Sequence, residues 1–109
     1  MKVETTVNSN YTVVAIAGEI DMYSSPQLRD TLLQLVKNKT ATVIVNLKDV
    51  KYIDSSGIAT FVEALKKMLS YKGKLKMAQV PDRLMEIFNF SKLDKVFEIF
   101  GKIEDAANS

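Results

Sequence analysis

Val43-Ile44-Val45-Asn46-Leu47, then Val50-Lys51-Tyr52-Ile53-Asp54-Ser55-Ser56-Gly57, then Ile58 to Leu69: this stretch decides the fold. Its first five residues are apolar and mostly β-branched, the composition of a buried strand. Tyr52-Ile53 is a second apolar clip that leads straight into the acidic and hydroxyl cluster. Ile58, Phe61, Val62, Leu65 and Leu69 recur at i, i+3, i+4, i+7 and i+11, which puts them on one face of a helix. Asp54-Ser55-Ser56-Gly57 is therefore a strand-to-helix junction. Asp and Ser suit it because their side-chain oxygens accept the free N–H groups of a first helical turn. Those N–H groups and the positive end of the helix dipole also favour an anion such as phosphate. The cluster can be a plain helix cap or the place where a serine is modified, and spacing alone leaves both open. Gly57 forms helix poorly, a hint that something approaches the backbone closely there.

Upstream, Val3, Thr5 and Val7 alternate with Lys2, Glu4 and Thr6, the period of a half-buried strand. Asn8-Ser9-Asn10 is a turn signal, and Tyr11 to Ala17 resumes with β-branched residues, which predicts an antiparallel hairpin closed by Gly18. Gly18 to Tyr23 crosses to Ser24-Ser25-Pro26, a helix start because proline tolerates the first helical position. Leu28, Leu32, Leu35 and Val36 are that helix's apolar stripe, and Asn38-Lys39-Thr40 ends it. A third strand is expected over Thr42 to Leu47.

Downstream, the helix after the junction is expected to run to about Lys72, with Gly73 as its C-cap and Lys66, Lys67 and Lys72 on a solvated face. Lys74 to Ala78 alternates like a strand with one wet face. Val80-Pro81-Asp82 opens a third helix striped by Leu84, Ile87 and Phe88, and Asn89-Phe90-Ser91 breaks it. Val96 to Phe100 reads as a short last strand and Lys102 to Ala107 as a final helical turn or two.

The order β-β-α-β-α-β-α-β-α implies an α/β fold, a mixed and mostly parallel sheet of about five strands with an N-terminal antiparallel hairpin and about four helices. In such sheets the loops at the C-terminal ends of the strands carry the site, and the Asp54 junction is one of them. At 109 residues the chain is read as one domain, residues 1–109. A net charge of +2, with the two signs interspersed, gives no footprint for nucleic acid or an anionic membrane. The sequence has no cysteine and no histidine, which removes thiol chemistry, the commonest general base and the commonest metal ligand, so no metal or cofactor is expected. With no signal peptide and no apolar run long enough for a membrane span, a cytoplasmic, soluble protein is expected.

With these residues in place the sequence resembles the STAS family, and within it the small free-standing anti-sigma factor antagonists of bacterial partner-switching systems. The carriers are Ala17-Gly18-Glu19-Ile20-Asp21, Leu47-Lys48-Asp49-Val50 leading to Tyr52-Ile53-Asp54-Ser55-Ser56-Gly57-Ile58, Gly73-Lys74-Leu75, and Phe88-Asn89-Phe90-Ser91-Lys92-Leu93. Their order and spacing together are specific, although Ile58-Ala59 stands where many members have Leu-Gly. The resemblance implies that Ser55 is phosphorylated by an anti-sigma factor that is a serine kinase. It also implies that the unphosphorylated form docks on that partner and frees the sigma factor, and that a PP2C-type phosphatase resets the system. No catalysis of its own is expected.

A phosphoserine adds about −1.5 to −2 charges and three acceptor oxygens, and at Ser55 these would stand beside Asp54 on a surface that has to mate with a partner. Glu19, Asp21, Met22, Tyr23 and Ser24 form a second candidate contact, and Asp54, Ser55, Ser56, Gly57, Ile58, Ala59 and Thr60 the first, with Ile58 expected in the core instead. Two other functions compete. One is a scaffold or small-ligand or lipid-binding STAS protein in which Ser55 is never phosphorylated. The other is an enzyme with Asp54 as base and Ser55 as nucleophile, which suffers because adjacent residues at a helix start rarely face one another.

Overall fold

A computed structural model describes residues 1–109. The chain order is β1 (Lys2–Val7), β2 (Thr12–Ile20), α1 (Ser25–Lys37), β3 (Thr42–Ile53), α2 (Ser55–Leu69), β4 (Lys74–Ala78), α3 (Asp82–Phe90), a 3₁₀ turn at Leu93–Lys95, β5 (Glu98–Phe100) and α4 (Ile103–Ala107). The strands lie in sequence order in one 5-stranded sheet, with β1 antiparallel to β2 and every other neighbour parallel. The mixed α/β sheet and its hairpin are thus as the sequence reading has them.

One face of the sheet carries the main core. Val14, Ile16 and Ile20 of β2, Val43, Val45, Leu47, Val50 and Ile53 of β3, and Leu75 and Met77 of β4 pack against Leu28 and Leu32 of α1, Phe61, Ala64 and Met68 of α2, and Leu84 and Phe88 of α3. The other face is covered by α4, whose Ala106 packs on Ile44 and Ala78. Lys76 of β4 lies beneath α4, almost sealed at 2% exposure, where the sequence pattern has a wet face. Its ammonium donates to Ala106 O at 2.9 Å and to Ser109 O at 3.3 Å, so the end of α4 supplies the partners a buried cation requires.

Two strands outrun their expected ends. β2 continues through Gly18, which sits at φ +97, a region L side chains rarely adopt, to Ile20. β3 continues from Leu47 to Ile53, and twice it carries one residue more than β2 opposite it, between Asn46 and Asp49 and between Val50 and Tyr52. Such bulges break the two-residue alternation: the buried residues of this half are Leu47, Val50 and Ile53, three apart. They also bring Ile20 level with Ile53, so that both strands end together at the site.

Smaller corrections follow the same logic. α2 starts at Ser55 and ends at Leu69, and the left-handed residue after it is Lys72 at φ 64, not Gly73. The last strand shrinks to three residues because a 3₁₀ turn takes up Leu93–Lys95 and leaves Val96 exposed. No helix is long and apolar enough to cross a membrane.

Candidate functional site

Asp54 follows β3 and caps α2. Its backbone is extended, at φ −109 and ψ −174, and its N–H donates to Ile20 O at 3.1 Å, which ties the ends of β2 and β3 together. One carboxylate oxygen, Oδ1, accepts from the Ser56 N–H at 2.9 Å, the Gly57 N–H at 3.3 Å and the Ser56 hydroxyl at 2.5 Å. The Met22 N–H also faces this carboxylate. The Ser56 hydroxyl bond, with the backbone donors behind it, holds the Asp54 carboxyl below the usual carboxylate range, against a smaller desolvation effect that pushes the other way.

The two serines therefore have different surroundings. Ser56 is half-buried, its hydroxyl is spent on Asp54, and its carbonyl accepts from the Thr60 hydroxyl at 2.9 Å. Ser55, the first residue of α2, is exposed, and the side-chain bonds of the junction run among Asp54, Ser56, Gly57 and Thr60 without it. The Asp54 oxygen that accepts a serine hydroxyl thus takes it from Ser56 and not from Ser55, the pairing that Asp54 as base and Ser55 as nucleophile would need.

Beside the junction, Asp21 builds the loop from β2 to α1. Its Oδ1 accepts from the N–H groups of Tyr23 and Ser24, both at 2.9 Å, and Ser24 Oγ donates to Glu19 O at 2.9 Å. The backbone donor of Ser24 foremost lowers the Asp21 carboxyl from its ordinary value, while the Asp54 carboxylate opposes ionisation across the corner. With its polar groups turned inward, the loop thrusts Met22 and Tyr23 outward, at 65% and 87% exposure.

Along α2 the surface next to Ser55 is a shallow groove of about 500 Å³ lined by Ile58, Ala59, Val62, Glu63, Lys66 and Lys67. Glu63 forms its rim. It takes a two-pronged bond from Arg29 of α1, 2.7 Å from Nε to Oε1 and 2.9 Å from Nη2 to Oε2, with Lys67 Nζ 3.1 Å from Oε2. Those two cations, Arg29 first, pull the Glu63 carboxyl down to about 2.

The profile of the STAS domain matches residues 2–106. The chain belongs to the STAS domain family. Among its relatives, the anti-sigma-B factor antagonist of Bacillus subtilis (strain 168) is 38% identical over 104 residues, which cover 95% of this chain and 94% of that one. Among solved structures, the anti-sigma factor antagonist SpoIIAA in its unphosphorylated form superposes with a TM-score of 0.77 at 18% identity, covering 97% of this chain and 94% of that one. The Bacillus cell fate determinant SpoIIAA in its phosphorylated form gives 0.78 at 19% identity, covering 98% and 97%.

Within this STAS domain the residues singled out from sequence converge on one end of the sheet. Glu19, Met22, Tyr23, Ser55 and Ala59 are exposed there, and Asp21, Ser24, Asp54, Ser56 and Ile58 are half-buried. Ile58 is not sealed in the core as expected; it packs on the core with one side and lines the groove with the other. Gly57 and Thr60 lie beneath the surface and support it. What crowds Gly57 is internal, since a Cβ there would stand 2.6 Å from Ile20 Cγ2 and 2.8 Å from Ile53 Cγ1. Sequence reasoning missed Val62, Glu63, Lys66 and Arg29 as parts of this surface. The signal for Val62 was present in its spacing of four from Ile58; nothing in the sequence pairs Arg29 with Glu63.

Proposed function

We propose that this STAS domain is an anti-sigma factor antagonist whose docking surface is the outer face of the α2 N-terminus together with the Asp21–Ser24 loop, and that phosphorylation of Ser55 switches docking off. The observation that carries this is the exposed, uncommitted hydroxyl of Ser55, which lines the apolar groove of α2 and follows Asp54, whose carboxylate the Met22 N–H faces. Large exposed side chains such as Tyr23 and Met22 are the kind that anchor an interface, and Ile58, Ala59 and Val62 give a partner an apolar strip to cover. The relative named an anti-sigma-B factor antagonist, aligned over nearly the whole of both chains, supports the same activity here.

The partner is an anti-sigma factor that is also a serine kinase. Unphosphorylated, the STAS domain occupies it and the sigma factor is released. Phosphorylated, Ser55 carries a near-dianion next to Asp54 and Asp21, and closing an interface over these negative groups means desolvating them together. A PP2C-type phosphatase restores the hydroxyl. Such a circuit acts on transcription inside the cytoplasm. The test is calorimetric titration of the anti-sigma kinase from the same genome with wild-type protein and Ser55→Glu. Wild type should bind, and Ser55→Glu should bind at least tenfold more weakly with an unchanged near-UV circular dichroism spectrum. Equal affinities would overturn the switch.

A further inference from the structure

We infer that Asp54 selects the phosphate acceptor: by holding the Ser56 hydroxyl in a hydrogen bond, its carboxylate leaves Ser55 as the only serine of the pair free to react. This rests on the reading of Ser55 as the modified residue and adds the reason why its neighbour, with the same chemistry one position on, is passed over.

Phosphoryl transfer from ATP requires a serine oxygen to come in line with the γ-phosphorus. The oxygen–phosphorus bond forms as the bond to the departing ADP oxygen breaks, and the hydroxyl proton passes to a base on the kinase. The Ser56 hydroxyl cannot enter that geometry without leaving Asp54 Oδ1, 2.5 Å away. The same oxygen caps the Ser56 and Gly57 N–H groups, so a phosphate on Ser56 would sit in contact with the carboxylate and contend with it for the helix N-terminus. Asp54 does not serve as the base either. Its Oδ1 is already occupied by three donors, which favour the ionised form and so weaken its hold on any proton it would accept. Ser55 pays none of these penalties: it is exposed, it precedes the capped N–H groups, and no acceptor holds its proton. Asp54 is thus a positioning residue for the modification of Ser55.

The test maps phosphate by fragmentation mass spectrometry after incubation of the full chain with ATP and the anti-sigma kinase of the same genome. Wild type should carry phosphate on Ser55 alone. In Asp54→Asn, whose amide oxygen can still accept from Ser56, whatever phosphate is taken up should stay on Ser55, at whatever rate docking allows. Asp54→Ala, checked as folded by near-UV circular dichroism, should carry phosphate on Ser56 as well as on Ser55. Ser55→Ala, which keeps the cap and does not depend on Asp54→Ala folding, should take up no phosphate. Phosphate on Ser56 in Ser55→Ala at the wild-type rate overturns the selection by Asp54. So does a folded Asp54→Ala that is modified only on Ser55 or on neither serine. A wild-type chain that takes no phosphate sinks the reading of Ser55 itself, a result distinct from either of these.

Discussion

Gly57→Ala should destabilise the fold by about 1–2 kcal/mol, although alanine is the better helix former. The added Cβ would lie 2.6 Å from Ile20 Cγ2 and 2.8 Å from Ile53 Cγ1, where carbon atoms settle at about 3.5–4.0 Å. Each neighbour has to retreat by roughly 1 Å. Neither can do so cheaply, because both isoleucines are buried, at 0% and 3% exposure, and a β-branched side chain is stiff at χ1. Overpacking of this kind costs about 1–3 kcal/mol, and the helix-propensity gain of up to about 1 kcal/mol offsets only part of it. Urea denaturation followed by far-UV circular dichroism measures the difference, and the melting temperature should fall by roughly 4–8 °C for each kcal/mol. Removing the nearest contact with Ile20→Ala should shrink the effect of Gly57→Ala in the double mutant. A Gly57→Ala protein as stable as wild type would refute the reasoning, since α2 would then not be seated as tightly on the ends of β2 and β3 as these distances say.

Tyr23→Ala should leave stability within about 0.5 kcal/mol, because the ring is exposed, yet weaken binding to the anti-sigma factor at least tenfold in a calorimetric titration. For Glu63, whose folded value is lowered to about 2 from 4.5, the contribution to stability is present above pH 4.5 and is lost as pH falls toward 2. Because the pair is partly solvated, that loss should be below about 1 kcal/mol, and Glu63→Gln should flatten this part of the acid limb of a stability curve. At Lys76, replacement by Met should cost about 1 kcal/mol or less, since a buried ionic group often exchanges for an apolar isostere with little loss. Lys76→Ala, which also leaves a cavity, should cost about 2 kcal/mol or more, and hydrogen exchange over residues 103–107 should quicken in both.

How much of this was legible in the sequence depends on whether a residue's surroundings are local. The Asp54 cap, the start of α1 at Ser24-Ser25-Pro26 and the β1–β2 hairpin follow from short-range chemistry, and they stand where the sequence puts them. The second half of β3 was missed because two bulges turn its burial period from two to three. The core face of α2 was misplaced for a related reason. Its buried residues are Gly57, Thr60, Phe61, Ala64 and Met68, two of them too small and one too polar to register as apolar markers, whereas Leu69 is 60% exposed. Small residues at Gly57 and Ala64 alternate with Phe61 and Met68 on the contact side, while Ile58 and Val62 face the groove. Lys76 was read as solvated because nothing near it in sequence foretells that α4 folds back over β4.

A firmly seated α2 also limits how phosphate at Ser55 can act. Notionally the helix N-terminus could compensate the new charge, but Asp54 already occupies the N–H groups of Ser56 and Gly57, so the donors best placed to receive a phosphate are taken. The proposed modification would then add charge to a corner where the Asp54 carboxylate already opposes ionisation of Asp21. The backbone beneath is fixed by the Asp54–Ile20 bond and by the packing at Gly57. The proposed switch is therefore a change in what the surface presents, charge and hydration at one hydroxyl, and a partner would sense it directly without any rearrangement of the sheet or its helices.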